Sequence, residues 1–173
     1  MAKFRTVDLG ATRWFTREDE NGDKVLDHGK PVRVKVHALT KDEERNARRA
    51  AYGNRKTSKL NNETFLNSLD RGEAYTREAA ISALEDTENH NVELSGPKAV
   101  ARFAELLKVD ASTLKEGGEV CLDGKWTPEL KRAWFTEFAI SKMEAKEIAD
   151  LSLKVATKDA DEEAEATGDF SQP

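Results

Sequence analysis

The residues of this chain best suited to chemistry are three histidines, one cysteine and one acidic turn. Nucleophilic or acid–base catalysis needs a nucleophile, a base and an orienting group within hydrogen-bond reach. His28 falls in a turn-like segment, His37 on the outer face of a strand and His90 in a loop, and none has a motif-like neighbour. All three therefore read as surface histidines. Cys121 stands between Glu119 and Asp123. A reactive thiolate needs cationic neighbours or a helix N-terminus, so Cys121 reads as a small residue filling a strand. Asp19-Glu20-Asn21-Gly22-Asp23 resembles the start of a calcium loop, but Lys24 and Lys30 occupy the positions where glycine and a bidentate glutamate belong. It reads better as a hairpin turn. No Cys/His spacing suits zinc, and Gly117-Gly118 lacks the Gly-Lys-Ser/Thr that completes a phosphate loop. The expectation is a protein that binds, with no enzymatic activity, no metal and no cofactor.

Two groups of residues are suited to binding. Arg45, Arg48, Arg49 and Tyr52 recur at helical spacing and are followed by Arg55 and Lys56. Such a row can grip phosphates or an acidic protein surface. It also reads as a solvated helix face, partly compensated by Glu43 and Glu44, or as a dock for the chain's own acidic tail. Trp126, Trp134 and Phe138 form the second group. Their spacing suits a core, and any exposed part would suit an interface anchor.

The charge is unevenly spread. Residues 1–60 hold 15 Lys/Arg against 9 Asp/Glu, residues 61–157 hold 12 against 18, and residues 158–173 hold one against six. The net charge of −5 equals that of the tail alone. This polarity favours heterologous or head-to-tail contacts, with a homo-oligomer allowed. Nucleic acid is the weaker expectation, because its binding domains usually have a high pI. The single cysteine fits a reducing compartment. No apolar run is long enough to cross a bilayer, and Met1-Ala2-Lys3-Phe4-Arg5 leads into no apolar stretch. A cytoplasmic location without membrane contact is expected.

The elements that must position these residues are read from periodicity and caps. Residues 1–38 read as a β region: a strand at Thr12–Thr16, a turn at Asn21-Gly22, and an alternating strand through Val32, Val34 and Val36. Thr40-Lys41-Asp42-Glu43 is a capping box that opens a helix ending at Tyr52-Gly53. A polar loop at 53–62 and two short helices, 63–69 and 76–86, are expected next, the second capped by Thr76. A helix starts at Ser95-Gly96-Pro97. Glu119–Trp126 reads as a hairpin closed by Asp123-Gly124, and Thr127-Pro128 caps the following helix. Ser141–Glu144 is a second capping box, opening a last helix whose inner face holds Met143, Ile148, Leu151 and Val155. From Thr157 the acidic chain has almost no apolar content and reads as disordered, with Phe170 as its one sticky residue. The fold class is α+β, mainly α. A small N-terminal antiparallel sheet or hairpin precedes a helical bundle at 39–156, which carries a second hairpin at 119–127. The acidic tail, 157–173, completes the division.

The step Val34-x-Val36-x-x-Leu39-Thr40-x-x-Glu43 and the segment Leu122-Asp123-Gly124-Lys125-Trp126-Thr127-Pro128 are followed by a helical pair and an acidic tail. This order of elements resembles the tail assembly chaperones of long-tailed bacteriophages. The resemblance is architectural and covers most of the chain in outline. It implies a non-enzymatic protein of the host-cell cytoplasm that keeps a tape-measure or tail subunit soluble during morphogenesis. A virion structural or tail accessory protein is the nearest alternative, and a nucleic-acid-binding accessory protein using the basic row is a third.

Overall fold

A computed structural model describes residues 11–53, 62–138 and 143–157, with the backbone alone for 62–69. The fold is α+β and mainly α. The expected loop residues 54–61, Arg55 and Lys56 among them, the Ser141-Lys142 half of the second capping box, and the tail 158–173 lie outside the described residues. The chain forms two compact units. Among the described residues, one holds 11–13, 36–53, 62–83 and 143–157, and the other holds 14–35 and 84–138.

The first unit is helical. Its connector is set by the capping box, as the sequence implies: the Glu43 amide donates to Thr40 Oγ1 at 3.2 Å, and the Thr40 amide donates to Glu43 Oε2 at 2.8 Å. Helix α1 runs Lys41–Tyr52 and stops at Gly53, whose φ of 60° suits glycine. Helix α2, Asn62–Ala83, is one continuous helix where two were expected. Thr76 does not cap it. Its hydroxyl donates back to the Gly72 carbonyl at 3.0 Å, within the helix. Helix α5 spans Ala145–Thr157. Val36, Ala47, Ala79, Ala80, Ala83, Met143, Ile148 and Val155 are buried. The alanines let α1 and α5 approach α2 closely. Ser152, also buried, donates to the His37 carbonyl at 2.9 Å and accepts from the Leu39 amide at 3.2 Å. It ties α5 to the connector before α1. Thr40→Ala removes one half of the box and is expected to cost about 1 kcal/mol, read as a lowered urea midpoint with an unchanged slope.

His37 is not on an outer face. It is buried, and its Nε2 lies 3.0 and 3.1 Å from the two Glu43 carboxylate oxygens. Burial alone would raise the Glu43 pKa, but the Thr40 amide and the contact with His37 outweigh it and hold the carboxyl below its usual range.

The second unit is built on short strands. β1 (Thr12–Thr16), β4 (Arg33–His37) and β5 (Leu84–Glu88) form a sheet in the order β1-β4-β5, of which Trp14–Thr16, Arg33–Lys35 and β5 belong to this unit. Val32 and Val34 are buried, as alternation predicts. β5 replaces the last turn of the expected helix 76–86. The Asn21-Gly22 turn closes a bridge between Glu18 and Lys24. A second hairpin, β2 (Leu26–Asp27) with β3 (Lys30–Pro31), turns through His28 and Gly29 at φ values of 48° and 76°. β7 (Glu119–Cys121) pairs antiparallel with β6 (Asn91–Glu93), with Val92 opposite Val120. Asp123-Gly124 is therefore a tight turn after β7, closed by the Lys125 amide on the Leu122 carbonyl at 3.0 Å, and not the bend of a local hairpin. Helix α3 (Pro97–Leu107) begins with Pro97 after Gly96, and α4 (Pro128–Thr136) is capped by Thr127, both as read from the sequence. Leu94, Phe103, Leu122, Leu130 and Trp134 centre the core of this unit.

Candidate partner-binding surfaces

The residues singled out for chemistry are held in structural roles. Asp19 Oδ1 accepts from the Asn21 and Asp23 amides at 2.8 and 3.0 Å, the geometry of an Asx turn. Among the described residues, no three His, Cys, Asp or Glu side chains converge to hold a metal ion. Cys121 is exposed on β7 instead of filling it, and burial of its surroundings, together with the neighbouring Asp123, pushes the thiol pKa up. That is the wrong direction for a nucleophile at neutral pH. His28 is exposed, and its Nε2 meets Glu119 Oε2 at 2.6 Å. His90 is 1% exposed, not a surface residue. It stacks on Trp126 with centroids 5.9 Å apart and meets the edge of Trp134 at 5.3 Å.

Asp123 organises the turn that carries His90. Its Oδ1 accepts from the His90 amide and the Thr87 hydroxyl, each at 3.0 Å, and its Oδ2 accepts from the Asn89 amide at 2.7 Å. Thr87 Oγ1 in turn accepts from Trp126 Nε1 at 2.8 Å. Asp86 Oδ1 closes the loop by accepting from the Gly124 amide at 2.7 Å. Burial opposes ionisation of Asp123, but the His90 amide, the Cys121 thiol, the Asn89 amide and the Thr87 hydroxyl together hold its pKa below the usual carboxylate range. The carboxylate thus serves β-turn geometry. Asn89, with a φ of 59°, depends on it.

The aromatic group is mostly core. Trp134 is 2% exposed and packs edge-on to Trp126 at 5.6 Å, so it is withdrawn from the surface and is no partner anchor in this fold. Phe138 is half-buried and stacks on Phe103 at 5.1 Å. Trp126 is half-buried, with its indole nitrogen committed to Thr87.

The basic row is a surface feature. Arg45, Arg48 and Arg49 are exposed along α1, and Tyr52 is 43% exposed at its end. Arg45 pairs with Asp42 at 3.2 Å, the weak i, i+3 kind. In the same unit, Leu39, Tyr75, Ala79, Ala149 and Leu153 line a shallow groove of about 100 Å³. Glu44 also lines it, and Arg48 and Tyr52 follow Glu44 at successive turns of the same side of α1. Leu153 is 64% exposed, the most exposed of the large apolar residues described. Helical spacing puts Leu151 and Val155 on the inner face and Leu153 on another side of α5, so the inner-face reading does not include it.

The second unit carries a larger pocket of about 300 Å³. Leu106, Leu107, Leu114 and Val120 form its walls. Val109, Lys108 and Lys125 stand at its mouth. Neither motif nor periodicity pointed to it, because α3, the 3-10 turn Ala111–Thr113 and β7 each supply only part of the lining.

Comparison with known proteins finds no matching family model, no matching curated protein and no matching solved structure. Among the described residues, no helix is long and apolar enough to cross a membrane.

Proposed function

We propose that this chain is a non-enzymatic assembly chaperone of a long-tailed bacteriophage, acting in the host cytoplasm on a tape-measure or tail subunit. The observation that supports it is the mainly apolar groove beside Leu153, lined also by Leu39, Tyr75 and Ala149, with Arg48 and Tyr52 exposed further along α1. Such a track takes an amphipathic helix, the apolar face on Leu39, Tyr75 and Leu153 and flanking acids on the arginines. Tape-measure subunits are elongated and helical, and so offer faces of this kind. Leu153→Asp is expected to change unfolding free energy by less than about 0.5 kcal/mol, while most of a co-expressed tape-measure subunit moves to the insoluble fraction. A wild-type chain that leaves that subunit insoluble would sink the reading.

The exposed Arg48 and Arg49 favour one second reading, a nucleic-acid-binding accessory protein. It calls for retention of DNA or RNA that falls steeply with salt and is abolished by R48E/R49E. A virion structural role is separated by mass spectrometry of purified particles, from which a chaperone is absent.

A further inference from the structure

The pocket of the second unit combines two properties. Its interior is apolar, with Leu106, Leu114 and Val120 lining it and Val109 43% exposed at its lip. The only charged residues that line it are Lys108 and Lys125. Neither ammonium is engaged in an ion pair among the described residues. An occupant of matching chemistry has one large apolar side chain embedded in acidic sequence.

The chain itself carries such a segment. Residues 158–173 hold six acids against one lysine, and their one large apolar residue, Phe170, follows Asp169. We infer that the C-terminal segment of a second copy docks in this pocket, with Phe170 seated among Leu106, Leu114 and Val120 and its acids facing Lys108 and Lys125. A cavity of about 300 Å³ admits one aromatic side chain with room for its neighbours. The competing surfaces fit less well. The arginine row of α1 offers charge without a seat for a ring. The groove beside Leu153 is about 100 Å³, and its one charged lining residue is Glu44, which repels acids. The contact is heterologous, pocket to tail, so copies can continue to add instead of closing as an isologous dimer.

One aromatic anchor and a few screened charges give a weak contact, on the order of 100 µM. The test is sedimentation equilibrium of the full chain over a wide concentration range. Average mass is expected to rise with concentration. Phe170→Ala is expected to weaken that association about tenfold, and K108G with K125Q several-fold. Raising the salt from roughly 50 to 500 mM should weaken it as well. Lys108 sits at a φ of 56°, so glycine there removes the charge without disturbing the backbone. R48Q/R49Q is the control and should leave association unchanged. A benzoylphenylalanine placed at position 170 should crosslink to peptides bearing Leu114 or Val120 of an isotopically distinct copy. A chain that stays monomeric throughout overturns the inference. So does association indifferent to Phe170→Ala or to the lysine pair, or one that answers to R48Q/R49Q instead.

Discussion

Asp123→Ala is expected to destabilise the protein by about 2–3 kcal/mol at neutral pH. The carboxylate takes hydrogen bonds from the His90 and Asn89 amides and from the Thr87 hydroxyl. Thr87 and His90 are buried, so the donors they present have little water to turn to, whereas Asn89 is half-exposed and can be rehydrated. That difference keeps the expected loss below three full desolvation penalties. Asp123→Asn keeps an acceptor oxygen and should lose less. The pH dependence follows from the lowered carboxyl pKa. A carboxyl depressed in the folded state contributes stability that is fully present above the unfolded value, about 3.9. That contribution fades as pH falls through the lower folded value. Wild type should therefore lose part of its advantage over Asp123→Ala between about pH 4 and the onset of acid unfolding. Urea midpoints of both proteins at pH 7 and near pH 3 check it. A variant within about 0.5 kcal/mol of wild type at pH 7 would show that the turn does not depend on this group.

What the sequence made legible was what short-range physics decides. Thr40 and Glu43 lie three residues apart and satisfy each other within one turn. Thr127 before Pro128 and Gly96 before Pro97 mark helix starts because proline tolerates only the first turn. Val32, Val34 and Val36 turn the same way on a strand, and all three are buried. The errors fall where a residue's choice depends on distant partners. Thr76 has two uses for its hydroxyl, capping a new helix or bonding back within an old one, and packing of α2 between α1 and α5 selects the second. Leu84-Glu85-Asp86-Thr87-Glu88 has little strand propensity, and pairing in the sheet overrides it. The Asp123-Gly124 signal was sound as a turn: Gly124 has a φ of 72°. Its partner strand was misread, because β7 finds β6 far away in sequence. His90 was read as exposed because its polar neighbours, Asn89 and Asn91, suggested a loop. The Asn89 side-chain amide instead donates to the Pro31 carbonyl, while the Asn89 and Asn91 backbone amides donate to the Asp123 and Asp27 carboxylates.

The candidate surfaces divide along the same line. The arginine row was visible because helical spacing alone creates it. The two hollows were not, since each is assembled from elements far apart in the chain. Their charges differ, and the two proposals rest on that difference. The groove beside Leu153 carries Glu44, and Arg45, Arg48 and Arg49 follow it on α1, which suits a client helix of mixed charge. The pocket behind Lys108 and Lys125 carries positive charge alone, which suits a purely acidic segment.

Trp134→Ala should be the most damaging single substitution, at about 3–5 kcal/mol. The indole is 2% exposed and touches Trp126, His90 and Phe138 with centroids 5.6, 5.3 and 5.9 Å away. Deleting it leaves a cavity that three aromatic rings must fill, and His90 loses the edge contact that holds one side of its imidazole. Relaxation can recover little, because Trp126 is tethered to Thr87 and Leu122 and Leu130 are fully buried on the same core. The result also decides between the two meanings of the aromatic row. An interface anchor cut to alanine lowers affinity in a protein of normal stability. A core residue cut to alanine lowers the thermal midpoint whether or not a partner is present. Thermal unfolding of the isolated chain should therefore show the full loss. Phe138→Ala, half-buried and stacked mainly on Phe103, should show a smaller one. Equal losses at the two positions would mean that the aromatic cluster behaves as one unit and not as a core with a rim.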